Sequence, residues 1–170
     1  MKKVLQLLVK TATTALDIKA AAVRLLDEKR QMMELVASYG LSDRYINKGP
    51  VGADKSLTEA MTGKAVSIYD VALDPRANYP QESADEGIKS ILSVPISLKG
   101  KVIGVLRIYT AEPRDFSDDE ITFISSLAQQ AAMAMEKAVQ ATGDGTGAGL
   151  GMGLGVMLPG LFSQYLPGQK

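Results

Sequence analysis

EGIKSILSVPISLKGKVIGVLRIYTAEPRDFSDDEITFISSLAQQAAMAMEKA, residues 86–138, holds two apolar runs, a short connector and one long amphipathic segment. In the first run Leu92, Val94, Ile96 and Leu98 share one face, while Ser93, Pro95 and Ser97 share the other, which is the period of a strand. The second run, Val102–Tyr109, sets Val102, Leu106 and Ile108 on one face and Ile103, Val105 and Tyr109 on the other. Apolar residues on both faces predict a strand covered on both sides. Lys99-Gly100-Lys101 between the runs offers a glycine for positive φ and predicts a tight hairpin. A helix then opens on the capping box Ser117-x-x-Glu120, with Phe116 placed to staple onto Ile121. Asp118, Asp119 and Glu120 suit the positive end of its dipole. Ile121, Ile124, Ala128, Ala131, Met135 and Ala138 continue it as one apolar stripe.

The ordered set Gly87-Ile88-Lys89-Ser90, Val94-Pro95-Ile96, Gly100-Lys101-Val102-Ile103-Gly104-Val105-Leu106, Phe116, Glu120 and Leu127-Ala128-Gln129-Gln130-Ala131 resembles the C-terminal half of a GAF domain. The resemblance extends over residues 1–141. It implies an α+β fold with a central antiparallel sheet of five or six strands in the order 2-1-5-4-3 and helices on both faces. The first and last helices would pack together on one face. A small-molecule pocket would lie on the other, under residues 71–89. The implied function is a non-enzymatic sensory or regulatory module, for a small molecule not named by the sequence, that acts on its terminal helices. With no output domain in the chain, the signal would pass to a signalling partner or to a second copy joined through the N- and C-terminal helices. The rival reading is a dimerisation scaffold whose pocket is filled by its own side chains.

Composition narrows the chemistry. Lysine plus arginine and aspartate plus glutamate are both 19, so the net charge is zero. That leaves no basic footprint for nucleic acid and no strong attraction to anionic membrane. There is no cysteine, which excludes disulfides, thiol catalysis and thiolate metal sites. There is no histidine, the commonest general base, metal ligand and neutral-pH switch. The methionine sulfoxide reductases, bilin-attaching members and haem-binding members of the GAF family rely on cysteine or histidine. The N-K-x-F-D-E signature of cyclic-nucleotide-responsive members is absent as well, so no cofactor and no metal is expected. Neither Gly63-Lys64 nor Gly100-Lys101 has the surroundings of a P-loop. An enzymatic reading would have to draw on Asp, Glu, Lys, Ser or Tyr alone.

From the N-terminus, Val4, Leu5, Leu8, Val9, Ala12, Ala15 and Leu16 mark a helix over 2–16, packed on the sheet or shared between subunits. Lys10 and the threonines interrupt its apolar patch, so it reads as amphipathic rather than as a signal peptide, and a cytoplasmic location follows. Ala20–Asp27 and Met32–Tyr39 form a hairpin across the charged turn 28–31. Ser42-Asp43 starts a short helix, and Ser56 with Glu59 forms a second capping box for a helix ending at Gly63. Ala65–Asp70 is the third strand, and Pro80 opens a short helix to Glu86.

Residues 71–86, VALDPRANYPQESADE, are the least regular part. The candidate ligand-binding residues, on or beside this segment, are Tyr69, Asp74, Arg76, Tyr79 and Ser93. Arg76 can fork onto a carboxylate or phosphate, and Tyr79 supplies a ring and a hydroxyl. The alternative is that Asp74 and Arg76 pin the loop. Residues 142–170 change abruptly, with glycine at every second position from Gly143 to Gly155. Their uncharged length raises a membrane span, but the cost of glycine in a helix and the break at Pro159 argue against one. A low-complexity association tail or an unstructured end are the other readings.

Overall fold

The computed structural model describes residues 1–29, 31–49 and 59–143. The cap expected at Ser56 and the glycine-rich segment beyond Gly143 lie outside them. Among the described residues the elements run α1 (Lys2–Ala15), β1 (Ala20–Asp27), β2 (Met32–Tyr39), α2 (Asp43–Ile46), β3 (Val66–Ile68), α3 (Pro80–Glu86), β4 (Ser90–Leu98), β5 (Lys101–Thr110) and α4 (Asp118–Gly143), with residues 59–61 helical as well. Among the described residues the strands form one five-stranded sheet, β2-β1-β5-β4-β3, antiparallel throughout. The order is the expected one, because β4 and β5 form a local hairpin that inserts β5 beside β1. The third strand is shorter than Ala65–Asp70. Asp70 ends it by turning the chain: its carboxylate accepts from the Ala72 amide at 2.9 Å, and its carbonyl from Leu73 and Asp74.

The β4–β5 turn is a two-residue loop with both residues at positive φ, Lys99 at 52° and Gly100 at 79°, closed by the pair Leu98–Lys101. Two successive positive φ values give the turn whose twist matches the hairpin. Just beyond it the ladder slips: Ile96 pairs with Gly104 and Ser97 with Val102, leaving Ile103 as the extra residue of a bulge. The bulge breaks the alternation assumed for β5. Ile103 turns to the same side as Leu106 and Ile108 instead of joining Val105 and Tyr109.

That side of the sheet carries α1 and α4, which also touch each other. Leu5, Leu8, Val9 and Ala12 of α1 and Ile124, Leu127, Ala128, Ala131 and Met135 of α4 form one continuous cluster with Val23, Leu25, Leu92, Val94, Ile96 and Leu106. Val4 and Ala15, expected in the α1 stripe, are instead exposed, as is Leu7, while Thr13 joins the buried face. The α4 capping box closes in both directions: Ser117 Oγ accepts from the Glu120 amide at 3.1 Å, and the Glu120 carboxylate accepts from the Ser117 amide at 3.0 Å. Those bonds, with the neighbouring Arg114 guanidinium, hold the Glu120 carboxyl below its ordinary range. Arg114 also donates to the Leu16 carbonyl at 3.3 Å, so the end of α1 and the start of α4 share one anchor.

Candidate functional site

The opposite sheet face is organised differently. The pairing lines up three rows across it: Ala20, Tyr109, Ile91 and Ile68, then Ala22, Arg107, Ser93 and Val66, then Leu35, Arg24, Val105 and Pro95. The first row belongs to an apolar cluster with Tyr45, Val71 and Ile88. At the other end, Val105 and Val66 join Met33 and Ala60 in a second cluster. Between the two sit Arg24, Arg107 and Ser93, exposed by only 4, 7 and 1 per cent. The helix side has one unbroken core, whereas this face has a core split by two buried cations.

Both arginines are forced inward by strand geometry. Arg24 alternates with Ala22 on β1, and Arg107 lies between Val105 and Tyr109 on β5, so each points the same way as those buried neighbours. Arg24 Nη1 donates to the Met33 carbonyl at 3.3 Å, but its Nε has no partner. Arg107 Nε also lacks one, and its guanidinium stands 5.8 Å from the Tyr109 ring centroid. The Tyr109 hydroxyl is a third buried, unpartnered polar atom. No carboxylate among the described residues forms an ion pair with either arginine. Buried charges are ordinarily paired, because an uncompensated one costs several kcal/mol on the usual scale.

The roof over this patch comes from α2 and α3. Ser42 caps α2, accepting from the Tyr45 amide at 3.2 Å, and its own amide and hydroxyl both donate to the Glu86 carboxylate at 2.7 Å. This clamp places Tyr45 edge-on to Tyr109, with ring centroids 6.0 Å apart. Burial and the neighbouring Tyr109 push the Tyr45 hydroxyl up to about 12. Lys48 Nζ lies 4.0 Å above the Tyr45 ring and 5.4 Å from the Tyr79 ring. Burial first, then repulsion from Arg24 and Arg107, lower Lys48 to about 8. The ammonium therefore shares an electrostatic space with the two guanidiniums.

These shifts give a pH signature. Below pH 8 Lys48 is charged in both folded and unfolded chains, and the penalty for holding that charge is fully present. Between 8 and 10.5 the folded state has released the proton while the unfolded chain keeps it, so the penalty is relieved. Tyr45 acts oppositely, losing stability from pH 10 to 12. The stability of the parent relative to Lys48→Met is thus expected to rise between pH 8 and 10 in thermal melts. Parallel curves would remove Lys48 from the electrostatics of the site.

Of the five residues expected at the site, Ser93 lies within the patch, paired across the ladder with Arg107. Tyr79 lies at its margin, beside Lys48 and under Gly49, where an added Cβ would come within 2.7 Å of the Tyr79 hydroxyl. Arg76 and Asp74 form a paired loop staple. Arg76 Nη2 and Nε donate to the Asp74 carboxylate at 2.7 and 3.0 Å, Nη2 also reaches the Ser67 carbonyl at 3.0 Å, and Nη1 reaches Glu59 at 3.2 Å. The pairing lowers the Asp74 carboxyl and raises Arg76. Tyr69 is half exposed, and its carbonyl accepts from the buried Ser90 hydroxyl. Arg24, Arg107, Tyr45 and Lys48 were not singled out in the sequence; a lone arginine inside each of the apolar runs AAAVRLL and GVLRIY is the signal that marks the first two.

A cleft of about 570 Å3 lies elsewhere, between the end of α1 and the chain leaving β5, lined by Asp17, Lys19, Thr110, Glu112 and Arg114 among others. Among the described residues no acidic cluster could hold a metal ion, and no helix is long and apolar enough to cross a membrane.

The sequence profile described as GAF domain matches residues 1–136. The chain belongs to the GAF domain family. This GAF domain is 32% identical over 143 residues to the methyl sulfide methyltransferase-associated sensor of Methanosarcina acetivorans. The match takes in 80% of this chain but only 14% of that protein's length. Among solved structures, the GAF domain of a phosphoenolpyruvate-protein phosphotransferase from Coxiella burnetii superposes with a TM-score of 0.70 at 24% identity, covering 82% of this chain and 86% of that one. The type II free methionine-R-sulfoxide reductase of Thermoplasma acidophilum superposes with a TM-score of 0.66 at 17% identity, covering 80% and 92%. At these identities the two structures establish the shared fold. The kinship with a sensor protein supports a sensory module.

Proposed function

We propose that this GAF domain is a non-enzymatic, cytoplasmic sensor module that binds a small molecule on the sheet face roofed by α2 and α3. The observation that carries the reading is the buried polar patch of Arg24, Arg107 and Tyr109, which divides an otherwise apolar face. Ser93 and Tyr79 are the ligand contacts retained from the sequence. Asp74, Arg76 and Tyr69 hold the adjoining loop. Occupancy would be felt on the far face, since β1 and β5 present Arg24 and Arg107 to the ligand and Val23, Leu25, Leu106 and Ile108 to the helix-side core. From there it passes through α1 and α4 to a signalling partner or a second copy. Exposed Val4 and Leu7 on α1 and Phe123 and Met133 on α4 suit such contacts.

The test is native mass spectrometry of protein isolated from its own host. A copurifying small molecule, lost in a variant combining Arg24→Met and Arg107→Met, is the expected result. A homogeneous empty dimer, unaffected by any metabolite extract, would instead favour the dimerisation scaffold. An enzymatic role would require turnover from a chain with neither cysteine nor histidine.

A further inference from the structure

We infer that the ligand is a small organic dicarboxylate, gripped by Arg24 and Arg107 with Lys48 at the mouth. The inference rests on the proposed binding face and names the chemistry that face selects. Arg24 and Arg107 are diagonal neighbours on adjacent antiparallel strands, because Ala22 pairs with Arg107 and Arg24 with Val105. Diagonal neighbours on one face lie about 7–8 Å apart, their Cβ atoms somewhat closer. Two planar forks rooted on neighbouring strands, each with an unpartnered Nε, suit two planar carboxylates joined by a short carbon chain. A single monoanion would leave one buried cation uncompensated. The apolar clusters on either side, with the Tyr45 and Tyr109 rings, accept the carbon chain between the charges. The Tyr109 hydroxyl offers a further buried polar partner. No acidic side chain among the described residues pairs with the arginines, and an anionic ligand would supply the missing counter-charge.

The experiment is isothermal calorimetry with thermal shift on the full chain, using succinate, glutarate and adipate as dicarboxylates, butyrate as a monoanion and inorganic phosphate. At least one dicarboxylate is expected to bind and stabilise, at least tenfold more tightly than butyrate or phosphate. Arg24→Met and Arg107→Met are each expected to weaken it at least tenfold while melting, without ligand, at or above the parent, because each removes an unpaired buried charge. Arg107→Lys, which keeps the charge and loses the fork, is expected to fold and to bind more weakly, and serves if a methionine variant does not fold. Phosphate binding without dicarboxylate binding would overturn the ligand class. A copurified ligand that is neutral or cationic, or that survives loss of both arginines, would overturn the inference while leaving the sensor reading intact. Methionine variants that melt far below the parent, with no dicarboxylate bound by the parent, would make the arginines structural and overturn it too.

Discussion

Leu127→Asp is expected to cost about 4 kcal/mol or more and to leave little folded protein at 37 °C. Leu127 is buried on the sheet-facing side of α4, in the same cluster as Leu5, Val9, Leu92 and Ile96. Aspartate there removes the leucine's apolar burial and places a carboxylate where a cation would have to desolvate to meet it. The change also falls inside a helix that packs on both β4 and α1, so the damage extends beyond one side chain. Circular dichroism melts check it. A variant melting with the parent would mean that α4 does not pack as described.

Gly104→Ala is expected to cost about 3 kcal/mol, at the upper end of what overpacking does. A Cβ at this position would lie 2.3 Å from the Arg24 carbonyl oxygen and 2.7 Å from Leu25 Cδ2. The leucine methyl can swing away, but the carbonyl belongs to the backbone of β1, so β1 and β5 would have to part. The entropic gain from replacing glycine, below about 1 kcal/mol, does not offset this. Because the displaced carbonyl is that of Arg24, the proposed ligand face should suffer along with stability. Hydrogen exchange should find lost protection along β1. Unchanged exchange and an unchanged melt would contradict the close approach.

Much of the fold was legible because its signals are local. The bounds of β1 and β2 follow from two apolar runs around a charged turn, and the start of α4 from reciprocal bonds between Ser117 and Glu120. Ile103 was misplaced because one extra residue in a ladder reverses every face assignment on its far side, and a bulge leaves no mark in alternation alone. The site was less legible for a related reason. An arginine at mid-strand reads as solvent-facing until both sides of the sheet are known to be covered, and the cover over Arg24 and Arg107 is set by pairings far apart in sequence. Arg76 drew notice because it stands in an irregular loop, yet its Nε, Nη1 and Nη2 all bond within the protein. Composition distinguishes neither a satisfied arginine from an unsatisfied one nor an outer strand face from an inner one.

The strand order also governs how the protein is made. Val23 pairs with Leu106, so the central seam of the sheet joins the beginning of the chain to a hairpin synthesised much later. The β1–β2 and β4–β5 hairpins each close over a few residues and can form as they emerge. Joining them must await β5 and then closes a long loop, an entropic debt that slows folding relative to an all-helical chain of this size. Until then the free edge of β1, Ala20 to Leu25, is an unpaired template with five apolar residues among six. The ribosome-bound chain is thus most exposed to mispairing before Thr110 has left the exit tunnel, and Arg24, the single charge in that edge, interrupts the apolar run during the interval.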